Sequence, residues 1–333
     1  MAGTVDESRA GDANSEERQA RVRAPGNGAD VLSPVARRAL EQVVGPLEVI
    51  EPISGVGGPG VFFCRGARQA SVLKYPAPVE VTFYKSWAQE LAGRGQVIPA
   101  LLAAGQDGDR PFLVLEWLPR SVDEAPEGSR PSDAVLREKI RYLAGIHQTK
   151  RPAIVPAAQT LPARTGAVPE DDLRDALALF ASAEQRRLGE LLALPWPRVQ
   201  GASLLSGDPN RTNWGRREDG TLALFDWGQA GFGHPAYDLA ILEGGLVGVP
   251  SLRRVVHAYL KLGTDGESAD RWLAMAITAR LATFLSFLAN WRRGELVPEA
   301  RPGADMLRGG ILPWLAAARP HAAPYGEEPM ARL

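Results

Sequence analysis

Ser206-Gly207-Asp208-Pro209-Asn210-Arg211-Thr212-Asn213-Trp214, then Ala223-Leu224-Phe225-Asp226-Trp227-Gly228, then Gly231-Phe232-Gly233-His234-Pro235-Ala236-Tyr237-Asp238-Leu239-Ala240: the reading of the chain turns on this stretch. Asp208 and Asn213 stand five residues apart, and Asp226 closes a short apolar run after a Glu218-Asp219-Gly220 turn signal. Any one of these residues alone is an ordinary turn residue, because Asp and Asn readily bond their own backbone. Together they are the set that phosphoryl transfer requires. One carboxylate orients an acceptor hydroxyl, while an amide oxygen and a second carboxylate hold the Mg²⁺ that screens the phosphates.

Composition sets the outer bounds. The 333 residues leave room for a two-lobed enzyme, and 38 basic against 39 acidic side chains give no global field for nucleic acid or a membrane surface. A single cysteine, Cys64, excludes an internal disulfide and a multi-Cys metal site. The four histidines form no metal-ligand pattern. No apolar run approaches the roughly 20 residues of a membrane span, and the N-terminus lacks a basic-then-apolar signal sequence. A soluble, cytoplasmic protein is expected. Residues 1–30 have few large apolar side chains and read as a disordered extension. Residues 320–333 read as a loose tail, with Pro and Gly breaking any helix.

Between those ends the pattern changes once. Leu47–Pro52, Val61–Arg65, Ala70–Tyr75, Leu101–Ala104 and Phe112–Leu118 read as strands, with one helix marked by Phe83, Tyr84, Trp87 and Leu91 at helical spacing. From there the chain turns helical. Ser132 is a good N-cap for a helix carrying Leu136, Ile140, Leu143 and His147 on one face. Pro-rich residues 151–169 read as loop, and one helix is expected over Asp171–Leu194, with others at Ser251–Leu262 and Asp270–Trp291. The expected organisation is residues 31–118 as a nucleotide-binding lobe and residues 119–319 as a lobe with the catalytic loop and acceptor-binding helices.

These motifs resemble the aminoglycoside phosphotransferase and choline kinase family, small-molecule relatives of the protein kinases. The resemblance runs from about Leu47 to Asn290 and is strongest at the loop. It implies an α+β, two-lobed, protein-kinase-like fold, with an antiparallel-sheet N-lobe holding one helix and a mainly helical C-lobe. It also implies Asp208 as the catalytic base, Asn213 and Asp226 as Mg²⁺ ligands, and Asp238 as the brace of the catalytic loop. The family's loop histidine is Ser206 here, which puts loop rigidity in question more than chemistry.

The nucleotide side follows partly from residues and partly from this likeness. Ser54-Gly55-Val56-Gly57-Gly58 lies between the first two strands, where glycine lets backbone N–H groups approach phosphate. The family places its phosphate-contacting lysine at Lys74. Two carboxylates compete to hold it, Glu80 and Glu90; Glu80 is preferred because it precedes Phe83-Tyr84 and stands well upstream of Ile98-Pro99, as the family's helix glutamate does, and it shares a helical face with Tyr84, Trp87 and Leu91. By the same likeness, Phe112–Leu118 resembles the family's last N-lobe strand running into the hinge, so the purine base of ATP, or of GTP, would meet backbone groups at Glu116, Trp117 and Leu118, with Val72 and Leu115 packing nearby. His147 matches a family position and reads as structural.

The acceptor is less legible. From Leu239 to Leu333 there are 11 Lys plus Arg against 9 acids, a balance with no attraction for a polycation. A neutral or weakly charged hydroxylated acceptor, an antibiotic or another metabolite, fits better. An alternative from another class, prompted by Ser206, is a nucleotide-binding regulatory pseudokinase without turnover. A protein kinase is disfavoured, since only residues 229–233 separate Asp226-Trp227-Gly228 from His234-Pro235, too few for a long activation segment.

Overall fold

The computed structural model describes residues 32–53, 60–122, 132–153, 159–263 and 267–330. The chain opens with helix α1 (Pro34–Val44), which starts on Ser33, whose hydroxyl accepts from the Ala36 amide at 3.2 Å. Strands β1 (Leu47–Pro52), β2 (Val61–Gly66) and β3 (Ala70–Lys74) follow, then helices α2 (Pro78–Ser86) and α3 (Ala88–Gly93), then β4 (Leu101–Asp107) and β5 (Arg110–Glu116). The five strands form one antiparallel sheet in the order β1-β2-β3-β5-β4. One face of this sheet is sealed by α1, through Ala36, Leu40 and Val44 against Cys64, Leu73, Phe112 and Val114. Burial of that kind is worth about 1.5–3 kcal/mol per large apolar side chain. It also pushes the Cys64 thiol up to about 12, so this cysteine is inert packing.

The second lobe runs β6 (Arg120–Ser121), α4 (Asp133–His147), β7 (Ala163–Arg164), α5 (Glu170–Leu177), α6 (Ser182–Leu192), β8 (Pro195–Trp196) and β9 (Ser203–Leu205). It continues through β10 (Trp214–Arg216), β11 (Leu222–Leu224), β12 (Gly231–Gly233), α7 (Ala236–Ile241), α8 (Val249–Leu260), α9 (Ala269–Arg293), α10 (Arg301–Ala322) and β13 (Glu328–Pro329). Ser132 caps α4 as expected, its hydroxyl accepting from the Val135 amide at 3.3 Å. Two small sheets place the catalytic stretch: β9 pairs with β12, whose other edge takes β7 in parallel, while β10 and β11 form a hairpin. The fold is α+β with an antiparallel-sheet lobe and a mainly helical lobe.

Four expectations need correction. The segment 171–194 is two helices, because Phe180 turns into the core and the Glu184 carboxylate accepts from the Ala181 amide at 3.3 Å to start a new one. The tail expected to be loose from residue 320 is ordered to Met330. Helix α10 carries Pro313 and Pro320 inside it, β13 pairs with β8, and Met330 is buried. Apolar contacts along α10 (Ile311, Trp314, Leu315, Ala318) with α9 outweigh the hydrogen bonds that proline removes. Helix α1 lay inside a segment given no helix, although Ser33-Pro34 is a standard helix start. Finally, α9 does have the length and hydropathy of a membrane span, but 83% of its apolar window is buried inside the fold. It is the core helix of the second lobe, touching α5, α7, α8 and α10.

Candidate active site

Lys74 ends β3 with its ammonium 2.7 Å from a Glu80 carboxylate oxygen and 2.7 Å from Asp226 Oδ1. Burial works against the Lys74 charge, but Glu80 and Asp226 outweigh it and hold the ammonium above its ordinary value. Glu80 is buried on the first turns of α2 and also accepts from the Trp227 amide at 3.3 Å. One carboxylate thus ties the sheet lysine to the segment that carries Asp226. Phe83, one turn further along α2, stacks on the Trp227 indole at 3.9 Å with the rings only 5° apart. Glu90 lies instead on the surface, 2.6 Å from Arg94. Of the two carboxylates, the structure brings Glu80 to Lys74.

Asp226 is the one non-glycine residue with positive φ among the described residues, at φ 63° and ψ 71°. An L-residue held there carries backbone strain of order 1–3 kcal/mol. The conformation turns Asp226 out of β11 and toward Lys74, its side chain 45% exposed to the cleft.

The loop after β9 presents Asp208. Gly207 has φ 80°, and a Cβ there would run into the Gln229 carbonyl, so only glycine fits this turn. The Ser206 and Gly207 amides both donate to Asp238, at 2.9 Å each, and His147 Nε2 meets the same carboxylate at 3.1 Å. His147 Nδ1 faces the Tyr259 hydroxyl at 2.9 Å. Asp238 is fully buried, so these partners are what make its burial tolerable. They fix the loop from below. Ser206, in the place of the family histidine, has a buried hydroxyl with no hydrogen-bond partner.

Asn210, which nothing in the spacing singled out, donates its amide to both Asp208 oxygens at 3.0 and 2.9 Å. Asn213 Nδ2 donates to the Asp208 carbonyl at 2.9 Å and its carboxylate at 3.1 Å, which leaves the Asn213 amide oxygen as its acceptor atom. Burial pushes the Asp208 carboxyl up to about 6; the Asn210 and Asn213 hydrogen bonds oppose the rise and the nearby Asp226 charge adds to it. A carboxylate with that proton affinity is suited to general-base work near neutrality. Trp214 and Trp227 frame the loop, their indole N–H groups donating to the Pro209 and Leu224 carbonyls at 3.0 Å each.

Where a nucleotide base would sit, Val72 pairs with Leu115 across β3 and β5, and the Leu118 side chain rests against Gly215. Trp117 stands edge-on to Phe63 at 4.8 Å. The Glu116 amide is committed to the Ala100 carbonyl at 2.9 Å, and its carboxylate to the Arg217 guanidinium at 2.6 and 2.7 Å. Ser54, Gly55, Gly57 and Gly58 lie outside the described residues.

The donor set suits Mg²⁺. An amide oxygen from Asn213 and a carboxylate from Asp226 are few, hard ligands, and Mg²⁺ usually takes one or two protein oxygens and completes its shell with water and phosphate.

No curated protein matches the chain. Solved structures do, and each shares the fold at low identity. Macrolide 2'-phosphotransferase MphH from Brachybacterium faecium is 18% identical with a TM-score of 0.53, over 83% of this chain and 98% of that one. Spectinomycin phosphotransferase APH(9)-Ia, solved with ADP and spectinomycin, is 13% identical with a TM-score of 0.54, over 85% and 97%. Choline kinase LicA from Streptococcus pneumoniae is 13% identical with a TM-score of 0.53, over 87% and 100%. The model of the phosphotransferase enzyme family matches residues 49–273, which include Lys74, Glu80, Asp208, Asn213, Asp226 and Asp238. With its kinase-like lobes and this assembled cleft, the chain belongs to the phosphotransferase enzyme family.

Proposed function

We propose that the protein transfers the γ-phosphate of ATP to a hydroxyl of a small molecule. The observation that carries this is the Lys74–Glu80–Asp226 cluster, in which residues from both lobes converge beside Asp208. Asp208 accepts a hydrogen bond from the acceptor hydroxyl and takes its proton as the new P–O bond forms. Its raised proton affinity favours that role. Lys74 compensates phosphate charge and is aligned by Glu80. Asn213 and Asp226 would hold Mg²⁺, which when bound neutralises phosphate charge. Asn210 and Asn213 keep Asp208 oriented, so that the main contributions are positioning and electrostatics.

The test is ATP consumption over hydroxylated antibiotics, sugars and amino alcohols, with Asp208→Asn as control. Turnover on the preferred acceptor should fall by on the order of 10²–10⁴, the range for a positioned acid or base, with nucleotide affinity retained. Nucleotide binding with no turnover on any acceptor would favour the pseudokinase reading that Ser206 prompts.

A further inference from the structure

The hairpin of β10 and β11 has a proposed metal ligand at each foot. Asn213 immediately precedes β10, and Asp226 comes two residues after β11. The feet are tied together: the Phe225 amide donates to the Asn213 carbonyl at 3.0 Å, and Trp214 pairs with Leu224, both buried. The other end is a closed turn. There the Arg217 amide donates to the Thr221 carbonyl and the Gly220 amide to the Arg217 carbonyl, at 3.0 Å each, with Gly220 at φ 85°. Between turn and feet every strand residue except Arg216 is buried. Whatever holds the turn therefore holds both ligand residues.

Two neighbouring arginines anchor that end to different parts of the molecule. Arg216 bonds Glu138 of α4 at 2.9 and 2.5 Å, within the second lobe. Arg217 reaches back to the first lobe. Its Nε donates to Glu116 Oε1 at 2.6 Å, and its Nη2 donates to Glu116 Oε2 at 2.7 Å and to the Ile98 carbonyl at 3.3 Å. Glu116 ends β5, and only residues 117–119 separate it from Arg120, where β6 joins the sheet of β10. The same Glu116 carboxylate accepts from the Ala100 amide at 3.0 Å. One hinge residue is thus fixed by β10's turn and by the chain before β4. Exposed ion pairs usually contribute little, but this one is a fork whose side chains are only 34% and 25% exposed, and it is joined to two backbone groups. In that arrangement an arginine fixes geometry as well as charge.

We propose that Arg217 is a positioning residue for the nucleotide: by clasping Glu116 it holds the hinge backbone, where the purine base would meet the protein, in register with Asn213 and Asp226, where Mg²⁺ would screen the phosphates. This rests on the nucleotide and metal assignments of the phosphotransfer reading. The pair touches no reacting atom. It acts by keeping the base site and the metal site at one separation, so that filling either favours the other.

The experiment is calorimetric titration of ADP into the full chain with and without Mg²⁺, with a melting temperature for each variant. In the wild type Mg²⁺ should tighten ADP binding. Arg217→Gln should shrink that Mg²⁺-dependent gain by about five- to tenfold, the low end of typical couplings between sites. Arg217→Lys should recover part of it, since charge remains without the fork. Glu116→Gln keeps an oxygen for the Ala100 amide and should match Arg217→Gln. The double variant should lose no more than either single one, as expected of two residues that act as a unit. Arg94→Gln, which loosens only a surface pair with Glu90, should keep the full gain. A clamp that merely holds the fold would lower the melting temperature and weaken ADP equally with and without Mg²⁺. That result, or additive losses from the two single substitutions, overturns the proposal while Mg²⁺-assisted ADP binding by the wild type keeps the phosphotransfer reading. A wild type that binds ADP with no help from Mg²⁺ removes the metal assignment, and the proposal falls with it.

Discussion

Lys74 has two carboxylates within 2.7 Å, and they are not equivalent. Glu80 is buried and Asp226 is half open to the cleft, so Glu80 sets the position and Asp226 is free to face a cation. Lys74→Ala should raise the KM for ATP and reduce kcat; Glu80→Gln should reproduce both changes, while Glu90→Gln, which only loosens a surface pair with Arg94, should leave both near wild type. Steady-state kinetics with varied ATP checks this, and equal small effects from both glutamates would remove Glu80 from the role. Asp208 brings a pH signature. Ionised above about pH 6, it should give kcat/KM an acid limb centred there. The same shift touches stability with a definite sign. A carboxyl whose folded value is raised above the ordinary 3.8 favours folding below that value, and the contribution is lost as pH rises through about 6. Asp208→Asn should therefore gain in melting temperature relative to wild type above pH 6 and lose the advantage near pH 4, which melting curves across that range would show.

At the scale of elements, the catalytic loop hangs from α7 through Asp238 and is framed by two indoles, with the small Ser206 ahead of both in sequence. Trp227 is held by the Phe83 stack and its bond to Leu224, and Trp214 by its bond to Pro209. Ser206 itself is buried, which leaves no open side for an imidazole. Ser206→His should overpack the loop and destabilise the fold by roughly 1–3 kcal/mol, without a gain in turnover; a rise in both melting temperature and activity would show that the loop is loose. The loop was legible because Asp208, Asn213 and Asp226 sit at fixed spacing on short elements, and chemistry restricts their types. The N-lobe strands were legible from alternation and turn residues. Asn210 was not, because its role arises from its hydrogen bonds to Asp208, which spacing along a chain does not encode. Helix α10 was hidden by Pro313 and Pro320, whose cost is local while the apolar contacts that offset it come from α9.

Across the whole molecule, the last residues close the second lobe. Strand β13 pairs with β8, the Met330 amide donates to the Leu192 carbonyl at 3.2 Å, and Arg319 lies 4.7 Å over the Trp196 ring. Ending the chain after Ala318 would strip Trp196 of that cover and expose the end of α6. Such a truncation should lower stability by about 2–5 kcal/mol, the range for losing a buried large side chain and its neighbours, and chemical denaturation would register it as a lower midpoint.

Asp226 leads to one more consequence. Its left-handed backbone would relax in Asp226→Gly, and the change would also leave Lys74 facing a single carboxylate in a neutral pair. The substitution that would remove the proposed metal ligand is therefore expected to raise the melting temperature. A laboratory population evolved for heat resistance alone, with no demand for activity, should lose this aspartate early. Its persistence under mutation would then act as a gauge of whether the host still uses the reaction.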